Sequence, residues 1–358
     1  MIIHSRKIRK KKNELRVEAE IEFRYTNQNK HLLWFEVDSK YKKIISKNMD
    51  CFLLSVLIMA MYYKENIYVD GDLSPKLIEN INSIQEYFYN WQPDKLKIIK
   101  VEYKKKKIQK CKKKQSAMFF SGGVDSFYSL NRLIESGCVL DKAIFLQGYD
   151  ISLKDNKTFS TASNIYEDYL RDKGVELIRV KTNQREVHGS EVIWAWTSGT
   201  ILTSIALFLS PGFETLYIPA SISYGYTEPW GTNPITDELC SLEHMQIIYH
   251  GSDMRRMDKI KEVAKNKDSY DKLRVCLKNP NGIENCCMCE KCIRTMIAFE
   301  IVNKLTKYKT FNNDLFKVIN NLKIQTNSQR SFIEDLISEA RKEDKSEIAE
   351  VLENKLKG

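Results

Sequence analysis

Two short segments of this chain hold residues whose types and spacing can do chemistry. The first is SGGVDS at 121–126, which follows an apolar run and opens a helical pattern. Two glycines at a strand–helix junction let backbone N–H groups and the helix N-terminus approach an anion closely. Ser121 and Ser126 add hydroxyl donors, and Asp125 adds a carboxylate where the helix begins. No lysine follows the glycines, so the loop is not the GxxxxGK[ST] pattern that serves γ-phosphate transfer. A glycine turn whose Asp125 and Ser126 only cap the next helix would use the same residues.

The second segment is rich in cysteine. Of nine cysteines, Cys276, Cys286, Cys287, Cys289 and Cys292 crowd into one stretch. The register Cys276-x9-Cys286-x2-Cys289-x2-Cys292 brings four thiolates to one tetrahedral ion, and Zn²⁺ in a closed Cys₄ site is its natural occupant. Cys287 is an alternative ligand to Cys286. An iron–sulfur cluster or a sulfur-carrying redox pair would draw on the same donors.

The elements that must hold these segments follow from hydrophobic period. Residues 13–45 alternate as strands, a helix is expected over 48–63 and a short strand over 67–69. Asp70-Gly71 reads as a turn, 75–91 as an amphipathic helix and 96–101 as a further strand. Together they predict a small α+β domain over 1–103, with the lysine-rich 104–115 as a basic linker. The pattern then turns to strand–helix alternation. Strands are expected at 117–120, 142–146, 175–180 and 215–218, with helices at 126–135, 161–173 and 192–209 between them. Four β–α units in succession predict an α/β domain over 116–302, built on a parallel sheet with helices on both faces. Residues 303–358 are polar and helical in period, a tail without legible chemistry.

Composition narrows the class without choosing a function. With 42% hydrophobic residues the chain can fold, and its net charge of +10 favours an anionic partner such as nucleotide phosphates, tRNA or an acidic protein. Lysine-rich runs at 5–16 and 103–114 supply much of that excess, as solvated arms or as nucleic-acid contacts. The apolar stretch 51–63 is too short to span a bilayer, and 192–209 carries too many small polar residues. No secretory pattern opens the chain, so a cytoplasmic protein is expected, where clustered cysteines signal metal or thiol chemistry.

Between the two motifs lie further candidates. Arg185 follows a strand in the polar run 181–186, where parallel sheets bind ligands, and suits a phosphate or carboxylate. The loop 221–237 is too long and too aromatic for a simple turn: Tyr224, Tyr226 and Trp230 with Gly231, Thr232, Asn233 and Asp237 can frame a flat heterocycle. Arg256 and Lys259 stand one turn apart on one face of a helix. Glu243 and His244 offer general bases, with nothing to select between them.

SGGVDS matches the SGGxDS signature of the PP-loop (N-type ATP pyrophosphatase) superfamily, and the chain resembles that class. The resemblance implies cleavage of ATP between its α- and β-phosphates, with AMP passing to a substrate oxygen. Ser121, Gly122, Gly123, Val124, Asp125 and Ser126 would then bind ATP at the departing pyrophosphate, and Asp125 would help place Mg²⁺. The strand at 143–146, with Phe145, would offer its backbone to adenine, and Arg256 and Lys259 would meet the α-phosphate. The cysteine register further resembles the zinc site of the 7-cyano-7-deazaguanine synthase family, over about residues 117–300. Neither the first hundred residues nor the tail has a counterpart there, which implies a specialised relative. The implied reaction joins a carboxylate, 7-carboxy-7-deazaguanine or a similar base, to ATP and then to a nitrogen nucleophile. Ammonia would serve, or a protein amine recognised through the N-terminal domain, as in enzymes of this look from bacterial antiviral operons. A tRNA-modifying thiolase or ligase, and a scaffold that only binds nucleotide, are the other expectations.

Overall fold

The computed structural model describes residues 1–24, 30–111, 114–189, 192–225, 230–278, 280 and 282–357. Its strands are β1 (Ile2–Ile3), β2 (Lys7–Lys11), β3 (Glu14–Glu22), β4 (Lys30–Asp38), β5 (Ile67–Leu73), β6 (Val101–Lys106), β7 (Gln115–Phe119), β8 (Lys142–Gln147), β9 (Glu176–Thr182), β10 (Phe213–Pro219) and β11 (Gln246–His250). All belong to one mixed sheet in the order β11-β10-β7-β8-β9-β4-β3-β1-β5-β6, with β2 alongside β3. The first five of that order run parallel. The fold is therefore α/β with a mostly parallel central sheet.

The two halves meet where β4 pairs antiparallel with β9, through Phe35↔Thr182, Glu36↔Lys181 and Val37↔Val180. Asn183 continues the seam by accepting from Trp34 N–H at 2.9 Å and donating to Leu32 at 2.7 Å. The N-terminal strands thus extend the sheet of the α/β half.

Side chains alternate across the sheet, and β7 displays it. Ala117 and Phe119 belong to the core layer built around the helices α1 (Asp50–Tyr63) and α6 (Trp194–Phe208). Met118 and Phe120 face the opposite layer. That layer holds α3 (Val124–Glu135), α4 (Asn156–Arg171), α8 (Arg256–Val263), α9 (Glu290–Ile301), α11 (Asn327–Lys342) and α12 (Ser346–Lys357). Helices α1 and α6 are apolar on every side because each packs against the other as well as the sheet. The remaining helices are α2 (Pro75–Trp91), α5 (Gln184–His188), α7 (Thr236–Leu239) and α10 (Leu315–Val318). No described helix is long and apolar enough to cross a membrane.

Several expectations change. Asp70 and Gly71 lie inside β5, not in a turn, because a register shift between Val69 and Asp72 absorbs them as an irregularity. The strand expected at 96–101 starts only at Val101 and runs into the lysines as β6, so Lys104, Lys105 and Lys106 are strand rather than linker. Strand β11 was not anticipated. The tail is helical, yet Ile333, Leu336, Ala340, Ile348 and Leu352 are core residues of the second layer.

Candidate functional site

The glycine loop sits at the carboxyl end of β7, between neighbours whose connections run in opposite directions. The chain leaves β7 for β8 and β9 on one side, then returns to β10 and β11 on the other. Open α/β sheets bind ligands at such a switch point. Gly122 has φ +76, and a Cβ there would stand 1.9 Å from the Tyr166 hydroxyl. Only glycine fits both the backbone and the space. Gly123 caps α3, and the Ser126 hydroxyl accepts from Ser121 N–H at 3.0 Å while the two serine oxygens stand 2.9 Å apart. Arg274 closes the loop from behind, its N–H donating to Gly122 at 2.8 Å and its guanidinium to Ser121 at 3.3 Å.

Two basic residues meet Asp125 from α8. Nη1 of Arg256 is 2.7 Å from both carboxylate oxygens, and Nζ of Lys259 is 3.7 Å from Oδ1. Lys259 is only 2% exposed and also donates to the Ala220 carbonyl at 2.6 Å. Burial opposes ionisation of Asp125, and Arg256 and Lys259 outweigh it, so the carboxyl is held below its ordinary value. Burial lowers the Lys259 ammonium, against the pull of Asp125.

Beside the loop opens a cleft of about 740 Å³. Ser121, Asp125, Ser126, Phe145, Arg185, Trp230 and Arg256 line it, which brings part of the glycine loop together with Arg185, Trp230 and Arg256. Lys259 and Gly122 are not among its lining residues, although Lys259 touches the lining residue Asp125. Also in the lining, Tyr149 and Trp194 stand 4.7 Å apart between ring centroids. Arg185 lies 4.5 Å over the Trp194 ring and donates to the Tyr149 carbonyl at 2.7 Å. Helix α5 presents Arg185 because Gln184 donates to the Ser55 hydroxyl at 2.8 Å and His188 bonds the Ser55 carbonyl. The expected heterocycle loop is only partly in the cleft. Tyr224 is exposed, Tyr226 lies outside the described residues, and Gly231 is buried against α6. Asn233 accepts from Ile235 and Thr236 N–H groups at 3.0 and 2.9 Å, so it holds the turn into α7 from within the core. Asp237 is 1% exposed and burial pushes its carboxyl well up. Glu243 anchors the start of α2, accepting from the Ser74 hydroxyl and Lys76 N–H at 2.9 Å each.

Sequence reasoning missed Tyr149, Trp194, Arg274, Lys291 and Arg294, all of which line the cleft. Lys291 and Arg294 carried a signal: they share the helix that holds Cys292.

The sulfurs of Cys276, Cys286, Cys289 and Cys292 lie within 4.8 Å of one another. Cys286 Sγ accepts from Cys289 N–H and Cys276 Sγ from Lys278 N–H, each at 3.3 Å. Asn285 folds the segment, its Oδ1 taking N–H bonds from Val275 and Cys276 at 2.8 and 3.0 Å. Cys287 is turned away at φ +57, its thiol 3.3 Å from the Asn285 carbonyl, so Cys286 and not Cys287 joins the group. Four converging thiols form a donor set suited to one tetrahedral metal ion.

No family model, curated protein or solved structure matches this chain.

Proposed function

We propose that the chain is an ATP-dependent enzyme of the PP-loop class that adenylylates a carboxylate, releases pyrophosphate and joins the acyl group to a nitrogen nucleophile. One observation carries this reading. A lysine-free glycine loop at the sheet's switch point faces a cleft, and its missing cation comes from α8 as Arg256 and Lys259. Backbone N–H groups of 121–126 would hold the departing pyrophosphate. The carboxylate oxygen attacks the α-phosphorus, and the bond to the bridging oxygen breaks. Arg256 and Lys259 would meet the charge growing on the α-phosphate. The nitrogen nucleophile then displaces AMP and loses a proton to solvent or a base. Asp125 is the carboxylate that would hold Mg²⁺ accompanying ATP.

The substrate proposed is a flat heterocyclic carboxylate such as 7-carboxy-7-deazaguanine. The aromatic lining of the cleft, with Arg185 above Trp194, supports that choice. Zn²⁺ is the proposed occupant of the four thiols, where it would contribute folding energy and fix the start of α9. Clustered unpaired cysteines fit a reducing compartment, hence the cytoplasm. The nucleophile proposed is ammonia or a protein amine. The deciding experiment incubates protein, ATP and candidate carboxylates and resolves the nucleotides. AMP with pyrophosphate supports the reading, whereas ADP with phosphate would overturn it.

A further inference from the structure

The phosphate end of the cleft holds more positive charge than its loop requires. Arg256, Arg274, Lys291 and Arg294 line it against the carboxylates of Asp125 and Glu290, with Lys259 touching Asp125. Arg294 is the unusual member. It comes from α9, its side chain is 13% exposed, and its Nε lies 2.7 Å from Glu290 Oε1, one turn earlier. Neither of those two atoms makes an aligned hydrogen bond. The face of the guanidinium rests on Phe332 of α11, with Cζ 4.1 Å from the ring centroid. Burial, together with the nearby Arg256, makes holding this charge costly.

Phe332 does not come alone. Thr326, Asn327, Ser328 and Gln329, at the start of the same helix, also line the cleft. A capping box holds that start: Gln329 N–H donates to the Thr326 hydroxyl at 3.2 Å, and Thr326 N–H donates to Gln329 Oε1 at 3.2 Å. The start of α11 therefore lines the same cleft as the glycine loop. A guanidinium paired with a single carboxylate, oriented by an aromatic ring and next to a phosphate loop, can turn its remaining N–H groups to a phosphate oxygen.

We propose that Arg294, positioned by Phe332, binds the β- and γ-phosphates of the nucleotide, which makes the C-terminal helix a working part of the site. This rests on the ATP reading above. The ligand class is a polyphosphate, with pyrophosphate as its smallest member. The α-phosphate belongs to Lys259 and Arg256, so AMP is not held by Arg294.

The test measures binding of Mg·ATP, pyrophosphate and AMP to the full chain by calorimetry, with melting temperature recorded in parallel. Arg294→Met is expected to weaken ATP and pyrophosphate by roughly ten- to hundredfold, the scale of a lost charged hydrogen bond. AMP should bind as to the unaltered protein. Phe332→Leu, which keeps the apolar packing, should lose several-fold for the same two ligands, and Phe332→Trp should restore them. Unaltered protein that ignored ATP would remove the ATP reading and this inference with it. Unaltered protein that binds ATP, with Arg294→Met binding pyrophosphate equally well, would overturn this inference alone. Were Arg294→Met unfolded, Phe332→Leu with undiminished pyrophosphate affinity would do the same.

Discussion

Arg256 grips Asp125 through a single nitrogen, Nη1, which stands 2.7 Å from each carboxylate oxygen. The group that the proposed reaction assigns to Mg²⁺ is thus held by an arginine, and the arginine assigned to phosphate is held by the loop. In the proposed reaction, binding of ATP with its ion would exchange both partners together. Asp125→Asn should lower AMP formation by more than about a hundredfold, because the amide is a poor ligand for a hard cation. It should also cost stability, which the sequence alone did not suggest. Lys259 is buried and would lose its counter-charge, worth about 1–3 kcal/mol. Nucleotide analysis and urea unfolding measure the two effects. Full activity in this variant would mean the loop does other work.

The cysteine group makes a sharper forecast than its spacing did. Purified protein should hold about one zinc per chain, and Cys286→Ser and Cys289→Ser should lose it together with thermal stability. Cys287→Ser should keep its metal, since that thiol points at the Asn285 carbonyl. Elemental analysis reads this directly. Stoichiometric iron would turn attention to the sulfur-handling alternative.

His188 gives the protein an acid limit. Burial of the ring holds its pKa at about 4, below the ordinary 6.5. As pH falls from 6.5 towards 4, the unfolded chain takes up a proton that the folded chain refuses. Stability is therefore complete above that window and is lost on passing down through it, by up to about 3 kcal/mol. His188→Gln keeps a donor for the Ser55 carbonyl and removes the titration. Urea midpoints at pH 7 and pH 4.5 should fall less in the variant than in the unaltered chain. Equal falls would acquit His188.

The two lysine-rich runs, far apart in sequence, converge on one corner. Arg6 donates to the Ser46 carbonyl at 2.8 Å, and Gln109 joins Ser46 and Lys47 at 2.7 and 2.8 Å. The described lysines of β2 are exposed, as are Lys104, Lys105 and Lys106. On edge strands such lysines also deter unwanted pairing. Binding of tRNA is expected to be weak near physiological salt and to fall steeply as salt rises. Tight binding at about 0.15 M salt would favour the RNA-modifying reading.

What was legible in the sequence was local. SGGVDS and the Cys-x2-Cys-x2-Cys run are contiguous, so their residue types and spacing already carry their geometry. The strand–helix alternation from β7 to β10 was legible for the same reason: each element writes its own period. Arg274 and Phe332 were not, because Arg274 comes from the loop after α8 and Phe332 from α11, and both reach the cleft only through tertiary packing. Asn233 and Asp237 do not line the cleft. Their polar chemistry suits a ligand frame, while in the structure the Asn233 side chain holds the turn into α7 and Asp237 is buried within that helix. The strand through Asp70 and Gly71 escaped notice because turn-forming residues also make sheet irregularities.

The seam between β4 and β9 bears on how the chain emerges from the ribosome. Strand β4 is synthesised about 140 residues before the strand that covers its edge. Helix α1, apolar all round, likewise waits for α6. Until residue 208 has left the exit tunnel, the nascent N-terminal half shows water an open strand edge and a greasy helix. Chaperones should find that half during translation, and a truncated product ending near residue 110 should precipitate rather than stand alone.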